Sequence, residues 1–281
     1  MSEDCYDFFI IDGKFNKVPA NICNHRGLLL GDGIFETIRI YKKKALFIER
    51  HYQRLEHSAK FLQMQLPFSL ESFCLESAQL IEKSAIEDGV LRLGLSRIDK
   101  VRSLLPKEAT SSYLLSVKAL NIVQNSELSL GFAPFALNEE SPLLGIKSSN
   151  YLERIVALMQ RPEFDDLIFL NRKGNLLSTT KANLFFLREG TLLTPPLFDG
   201  VLNGISRSLI LELVSELGIK FECRSAKKKE ILSADEVFVS NALCGIARVS
   251  KIENKLLKSS LVFSRLKKHL KEVWEAYGFK T

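Results

Sequence analysis

Leu143-Leu144-Gly145-Ile146-Lys147-Ser148-Ser149-Asn150-Tyr151-Leu152-Glu153-Arg154 places one lysine on a short turn between an apolar run and an amphipathic helix. Tyr151, Leu152, Ile155, Val156 and Met159 recur at three- and four-residue spacing, the mark of a single buried helix face. Asn150 with Glu153 three residues later, or Ser149 just before, supplies the start signal. Lys147 therefore falls beside a helix N-terminus, with Leu144 and Ile146 as apolar neighbours. A lysine held there is partly desolvated, which lowers its pKa and frees its amine to attack a carbonyl. A surface lysine in a loop shares this local pattern, so the decision rests on the surroundings.

Toward the N-terminus, residues 34–41 (IFETIRIY) alternate with period two and are rich in branched and aromatic side chains, which predicts a strand. Gly31 and Gly33 at its head either admit another group close to the backbone or make a plain hairpin turn. Before them, residues 8–11, Asp12-Gly13 and the segment around Val18 read as strand, tight turn and returning strand. Residues 49–64 turn helical, with Tyr52, Leu55, Ala59 and Leu62 as the stripe and Arg54 on its flank beside His51. Pointing into a cleft, Arg54 is a phosphate clamp; otherwise it is a solvated side chain. A second helix over 70–86 and strands over 90–98 and 112–117 follow. Arg92, Arg97 and Arg102 cluster near that strand pair, facing an anionic ligand or solvent.

Toward the C-terminus, the polar residues 119–126 predict a linker between an N-terminal domain (1–118) and a C-terminal domain (127–281). Strands are expected over 128–135, 166–171, 184–187 and 192–196, with 236–240 as the last core strand. Gly204-Ile205-Ser206 feeds a helix expected over 208–217 and closed by Gly218. A glycine and a hydroxyl at a helix start offer free N–H groups to a phosphate, although Ser206 fits a simple N-cap equally well.

Hydrophobic content of 46% and charged content of 26% describe a soluble globular chain. The five cysteines are scattered, with no close pair for a metal or a redox dithiol, as expected of free thiols in a reducing cytosol. An acidic N-terminus and the lack of any apolar run near the length of a bilayer span point to a cytoplasmic protein without a membrane segment. The net charge of +6 invites nucleic acid as a partner. Most of the excess lies after Lys251, where Phe263, Leu266, Leu270, Val273, Trp274 and Tyr277 form one stripe and lysines the opposite face. That is a solvated terminal helix, so no nucleic-acid partner is expected.

Taken in order, GDGIFETIRIY, HYQRLEHSA, GIKSSNYLER, GNLLSTTKANLFFL, TPPL, GVLNGISR and FVSNAL resemble the fold-type IV pyridoxal-phosphate enzymes, the class IV aminotransferase family. The resemblance runs from about Ile10 to about Val249. It implies an α+β fold like that of D-amino acid aminotransferase. A small N-terminal α/β domain and a larger C-terminal domain would enclose a cleft for pyridoxal 5'-phosphate and a small-molecule substrate, usually in a homodimer. It implies that Lys147 binds the cofactor covalently and shuttles protons, that Arg54 holds the phosphate, and that Ile205 and Ser206 complete that site with Asn241 and Ala242. Phe35 matches a substrate-pocket position.

Within the family, LLGIKSSNYLE, the SNAL at Ser240 to Leu243, and Ser96-Arg97 with Arg102 lean toward the aminodeoxychorismate lyases, with Arg97 and Arg102 meeting substrate carboxylates. Aminotransferases of D- or branched-chain amino acids are the alternative, and a weakly catalytic cofactor-binding protein a further one. One departure stands out. Where the family usually has a glutamate for the cofactor's pyridine nitrogen, this chain has Ser178. A hydroxyl hydrogen-bonds that nitrogen but does not stabilise its protonated form, which is expected to favour elimination over transamination.

Overall fold

The computed structural model describes residues 6–11, 14–19, 25–99, 103–120, 127–258 and 261–279. The chain opens with an antiparallel hairpin, β1 (Tyr6–Ile11) and β2 (Lys14–Pro19). The expected Asp12-Gly13 turn lies outside the described residues. A short helix, α1 (Arg26–Leu30), ends at Gly31 in the left-handed region, where only glycine is free of strain. Next come β3 (Gly33–Tyr41), β4 (Lys44–Ala45), α2 (Ile48–Phe61), α3 (Leu70–Ser84), β5 (Gly89–Ile98) and β6 (Thr110–Ala119). The four strands form an antiparallel sheet in the order β4-β3-β5-β6. Ile34, Ile38 and Ile40 of β3 and Leu91, Leu93 and Leu95 of β5 share one face and bury it against Leu55 of α2 and Phe73 of α3.

The expected strand over 34–41 is β3, and seven of its nine residues are buried, on both faces. The helices cover one side and the lysine loop touches the other. Residues 121–126, within the expected linker, lie outside the described residues; the strands on either side belong to different sheets.

The second sheet curls on itself. It contains β7 (Glu127–Phe132), β8 (Asp166–Leu170), β9 (Leu176–Thr179), β10 (Asn183–Arg188), β11 (Thr191–Thr194), β12 (Phe221–Cys223), β13 (Glu236–Asn241), β14 (Gly245–Ile252) and β15 (Lys255–Leu256). Six of these close a ring, β10-β13-β14-β7-β8-β9, completed where Asn183 of β10 pairs with Ser178 of β9. Inward residues such as Leu130, Ile168, Leu184, Phe186, Val237 and Val249 fill the interior. The expectation that 236–240 is the last core strand is corrected by β14. This strand pairs with β13 and, in parallel, with β7, so the ring cannot close without it. Its charged positions, Arg248 and Lys251, deny it the continuous apolar run that marks β13.

Among the described residues, four α-helices lie outside the ring. The first, α4 (Leu152–Gln160), follows the lysine loop. The second, α5 (Ile205–Glu216), starts three residues earlier than expected. After the short α6 (Lys228–Leu232), the terminal α7 (Leu261–Phe279) packs Phe263, Leu266 and Leu270 with Leu209 and Leu213 of α5. No helix among the described residues is long and apolar enough to cross a membrane.

The stripe of α4 is real but its expected burial is not. Leu152 is 69% exposed and Met159 74%, and only Ala157 of the helix is buried. The helix also begins later than the Asn150 signal. Its N-cap is Tyr151, with no side-chain cap, because the residues before it are held extended against β3.

Candidate active site

Lys147 is placed by main-chain bonds to β3. The Phe35 N–H donates to the Lys147 carbonyl at 3.0 Å, the Ser149 N–H donates to the Gly33 carbonyl at 2.8 Å, and Ser148 bridges Ile34 in antiparallel register. Gly33 is needed for this approach. A Cβ there would meet the Leu95 carbonyl oxygen at 2.9 Å and Ser149 Oγ at 3.1 Å. On either side, Leu144 packs with Phe169 and Val201, and Ile146 with the core beneath β3. The amine lies 4.4 Å from the centre of the Phe35 ring. Burial, and next the nearby Arg54 cation, lower its pKa to about 8 against a partial counter-pull from Glu36. That is the desolvated lysine the sequence predicts.

Arg54 stands one turn after His51 on α2. Its Nε and one terminal nitrogen donate to the two oxygens of Glu36 at 2.8 and 2.6 Å, and the other terminal nitrogen donates to the Asn203 carbonyl at 3.0 Å. His51 Nδ1 meets the same carboxylate at 2.7 Å. Glu36 is only 1% exposed. Burial pushes its pKa up, but Arg54 and then His51 outweigh that and hold it at about 2. Burial pushes the His51 imidazole down, so a neutral ring donates to Glu36. The carboxylate thus fixes the guanidinium from behind and leaves its front toward the cavity.

Facing Arg54 is the first turn of α5, whose N–H groups have no partners within the helix. Gly204 precedes it, and a Cβ there would strike Asn183 Oδ1 at 2.1 Å. Ser206 is not the N-cap. Its hydroxyl donates to the Asn241 carbonyl at 2.8 Å and ties the helix start to the β13–β14 turn. In that turn Asn241 Oδ1 accepts from the N–H groups of Leu243 and Cys244 at 2.9 and 3.0 Å, with Ala242 between. A cation, a helix start and a tight turn converge, as an anion requires.

The floor of the cavity is a row across the closed ring. Ser178, Asn183 and Ser240 are cross-strand partners on β9, β10 and β13 and face the same way. Ser178 Oγ donates to the Thr179 carbonyl at 3.1 Å, and Asn183 Nδ2 to the Leu202 carbonyl at 2.9 Å. The buried Ser240 hydroxyl has no hydrogen-bond partner among the described residues. The whole cavity is about 430 Å³, large enough for a cofactor-sized molecule with a small substrate.

These features fit pyridoxal phosphate. The phosphate suits Arg54 and the α5 start, the aldehyde suits a lysine of depressed pKa, and the orphan Ser240 hydroxyl is free for a polar group of the ring. Phe35, Arg54, Lys147, Ser178, Ile205, Ser206, Asn241 and Ala242 all line this one cavity.

Arg97 does not line it. Its guanidinium is held by Asp32 at 3.2 Å and by the Leu62 carbonyl. Arg102 lies outside the described residues. Arg92 and Arg97 are an odd number of residues apart on β5, so they point to opposite faces. Arg92 takes the cavity side, 4.2 Å from the centre of Phe35, and Arg154 lies 5.0 Å from Tyr151. The two rings are themselves 5.4 Å apart. Arg154, Glu36, His51, Asn183 and Ser240 had no functional place in the sequence reading. Glu36 carried a usable signal: it is in phase with Ile34, Ile38 and Ile40, so a carboxylate was due on a buried face and needed cations from the next helix.

The profile of the family described as Amino-transferase class IV matches residues 33–252, more than half of the chain. A Methanocaldococcus jannaschii protein provisionally described as a branched-chain-amino-acid aminotransferase is 25% identical, over 96% of this chain and 97% of its own. A Staphylococcus aureus D-alanine aminotransferase is 25% identical, over 90% and 91%. A solved Legionella pneumophila protein, provisionally described as a 4-amino-4-deoxychorismate lyase, superposes with a TM-score of 0.85 at 30% identity, covering 89% of this chain and 93% of its own. With the lysine, the anion site and the closed ring already in place, the chain belongs to the class IV aminotransferase family, the pyridoxal-phosphate enzymes of fold type IV.

Proposed function

We propose that this enzyme is a cytoplasmic 4-amino-4-deoxychorismate lyase, releasing 4-aminobenzoate and pyruvate for folate synthesis. The observation that carries the proposal is the charge of the cavity beyond Lys147. Arg92 and Arg154 flank the Phe35–Tyr151 ring pair, Lys181 is nearby, and no carboxylate is among the described lining residues. A substrate with a ring and two carboxylates matches that lining. The side chain of a branched-chain amino acid asks for an apolar wall instead. The likeness to the Legionella protein supports the same choice.

When bound, the cofactor supplies an electron sink for charge developing beside the substrate amine. The rest falls to this chain. Arg54, with Glu36 and His51 behind it, and the α5 start anchor the phosphate. Arg92 and Arg154 bind the substrate carboxylates and orient the ring along Phe35. The free Lys147 amine would take a ring proton from the substrate and deliver it to the departing three-carbon side chain. With a pKa near 8 it is suited to both transfers close to neutral pH. Aromatisation of the ring drives the departure.

The deciding experiment couples the protein to a synthase that makes aminodeoxychorismate in place and follows 4-aminobenzoate. Formation that needs this protein and pyridoxal phosphate supports the lyase. No formation by cofactor-loaded protein overturns it. Arg92→Leu and Arg154→Leu are each expected to raise KM about 10- to 100-fold, the worth of one charge-assisted hydrogen bond, with a smaller change in kcat. The long coverage of the two aminotransferase relatives favours, as second reading, a transaminase of D- or branched-chain amino acids, and a 2-oxo acid requirement for turnover identifies it.

The proposal includes a homodimer, with the bare apolar face of α4 against a second copy. Leu152→Glu with Met159→Glu is expected to convert a dimer to a monomer in sedimentation. An unchanged mass would remove α4 from the interface.

A further inference from the structure

A protonated ring nitrogen inside a protein is a buried cation and persists where a carboxylate touches it. This cavity offers none. Among its described lining residues Arg54, Arg92, Lys147, Arg154 and Lys181 are cationic, and the rest are neutral. Two carboxylates lie one layer behind. Glu36 is fully engaged by Arg54 and His51. Asp166 sits beneath Thr180, taking its N–H at 3.0 Å and its hydroxyl at 2.5 Å on Oδ1, and is not part of the lining. The row Ser178–Asn183–Ser240 on the floor is hydroxyl, amide and hydroxyl.

We propose that Ser178 holds the cofactor's ring nitrogen as a neutral pyridine, turning its hydroxyl from the Thr179 carbonyl to the nitrogen lone pair, and that this makes the site an eliminating one. The first half holds for any reaction of this enzyme; the second rests on the lyase reading. The physical link is charge. A neutral ring withdraws less electron density from the substrate. Transamination must store that density on the cofactor until a proton arrives. Elimination passes it on to a leaving group, so it tolerates the weaker sink.

The test loads the apoprotein with pyridoxal phosphate carrying 15N in the ring and reads the nitrogen shift, which separates pyridine from pyridinium. Wild type is expected to show pyridine at pH 7, and Ser178→Glu pyridinium. A pyridinium signal in wild type overturns the proposal, whatever the variant does. With alanine of either hand, Ser178→Glu is expected to convert bound cofactor to its amine form at least tenfold faster, while 4-aminobenzoate release does not rise. An unchanged ratio of the two rates overturns the second half. A pyridine signal without any 4-aminobenzoate formation would overturn the lyase reading and leave the nitrogen assignment standing.

Discussion

Replacing Lys147 by methionine is expected to abolish turnover and at the same time to stabilise the apoprotein at pH 7. The first effect follows from its proposed double role as cofactor anchor and proton carrier, and a loss of at least about 10⁴-fold in kcat is expected. The second follows from linkage. In the folded chain the amine has a pKa of about 8, against 10.5 for a free lysine. At pH 7 both states are protonated, and the folded state bears the cost of a cation that burial and Arg54 disfavour. Between these two pKa values the unfolded chain binds more protons, so wild-type stability rises with pH across that window. The shift is worth about 3 kcal/mol, which water in the open cavity reduces to roughly 2 kcal/mol. Methionine keeps the apolar stem and removes the charge. Urea melts of both apoproteins at pH 7 and pH 10 decide it: the variant leads at pH 7 and the gap closes at pH 10. A variant less stable at pH 7 would show that the amine is not under electrostatic strain.

Glu36→Gln carries the other large effect. The substitution keeps the shape and deletes the charge that two buried partners share. Breaking such a network from one side costs on the order of 3–5 kcal/mol. A pH signature distinguishes this from simple loss of packing. Glu36 titrates at about 2 in the folded chain and at 4.5 as a free group. Its contribution is therefore complete above the higher value and is lost as pH falls through the lower one. Wild type should lose stability steeply from about pH 5 to pH 2, and the variant less so over that interval. Arg54, released from its backing, should also bind inorganic phosphate about tenfold more weakly in the apoprotein, a factor worth 1.4 kcal/mol. An acid limb as steep as that of wild type would mean that Glu36 is not the group responsible.

Much of the candidate site's geometry was legible because its parts are local. A lysine between an apolar run and a helix, an arginine on a helix flank, and a glycine before a helix start each carry their meaning within a few residues. Assembly across the chain was harder to see. The spacing of α4 reports that one face seeks apolar company, but not whose, and that face stands exposed in the single chain. Arg97 looked equivalent to Arg92 until strand parity separated them, and parity can be counted in the sequence alone. β14 hid among basic residues because its outward positions are charged and its inward ones belong to a ring closed by distant partners.

The bonds that seat Lys147 on β3 join main-chain atoms only. The position of this lysine along β3 is therefore written in peptide groups, while Leu144 and Ile146 before it are held by packing and Ser149 and Asn150 after it are exposed. Ser149 and Asn150 are expected to accept varied side chains that reshape the cavity mouth without moving the amine, provided that position 33 stays glycine and position 149 keeps its N–H, which excludes proline. For redesign, the exposed end of the loop is the tolerant part, next to a lysine fixed by its main chain.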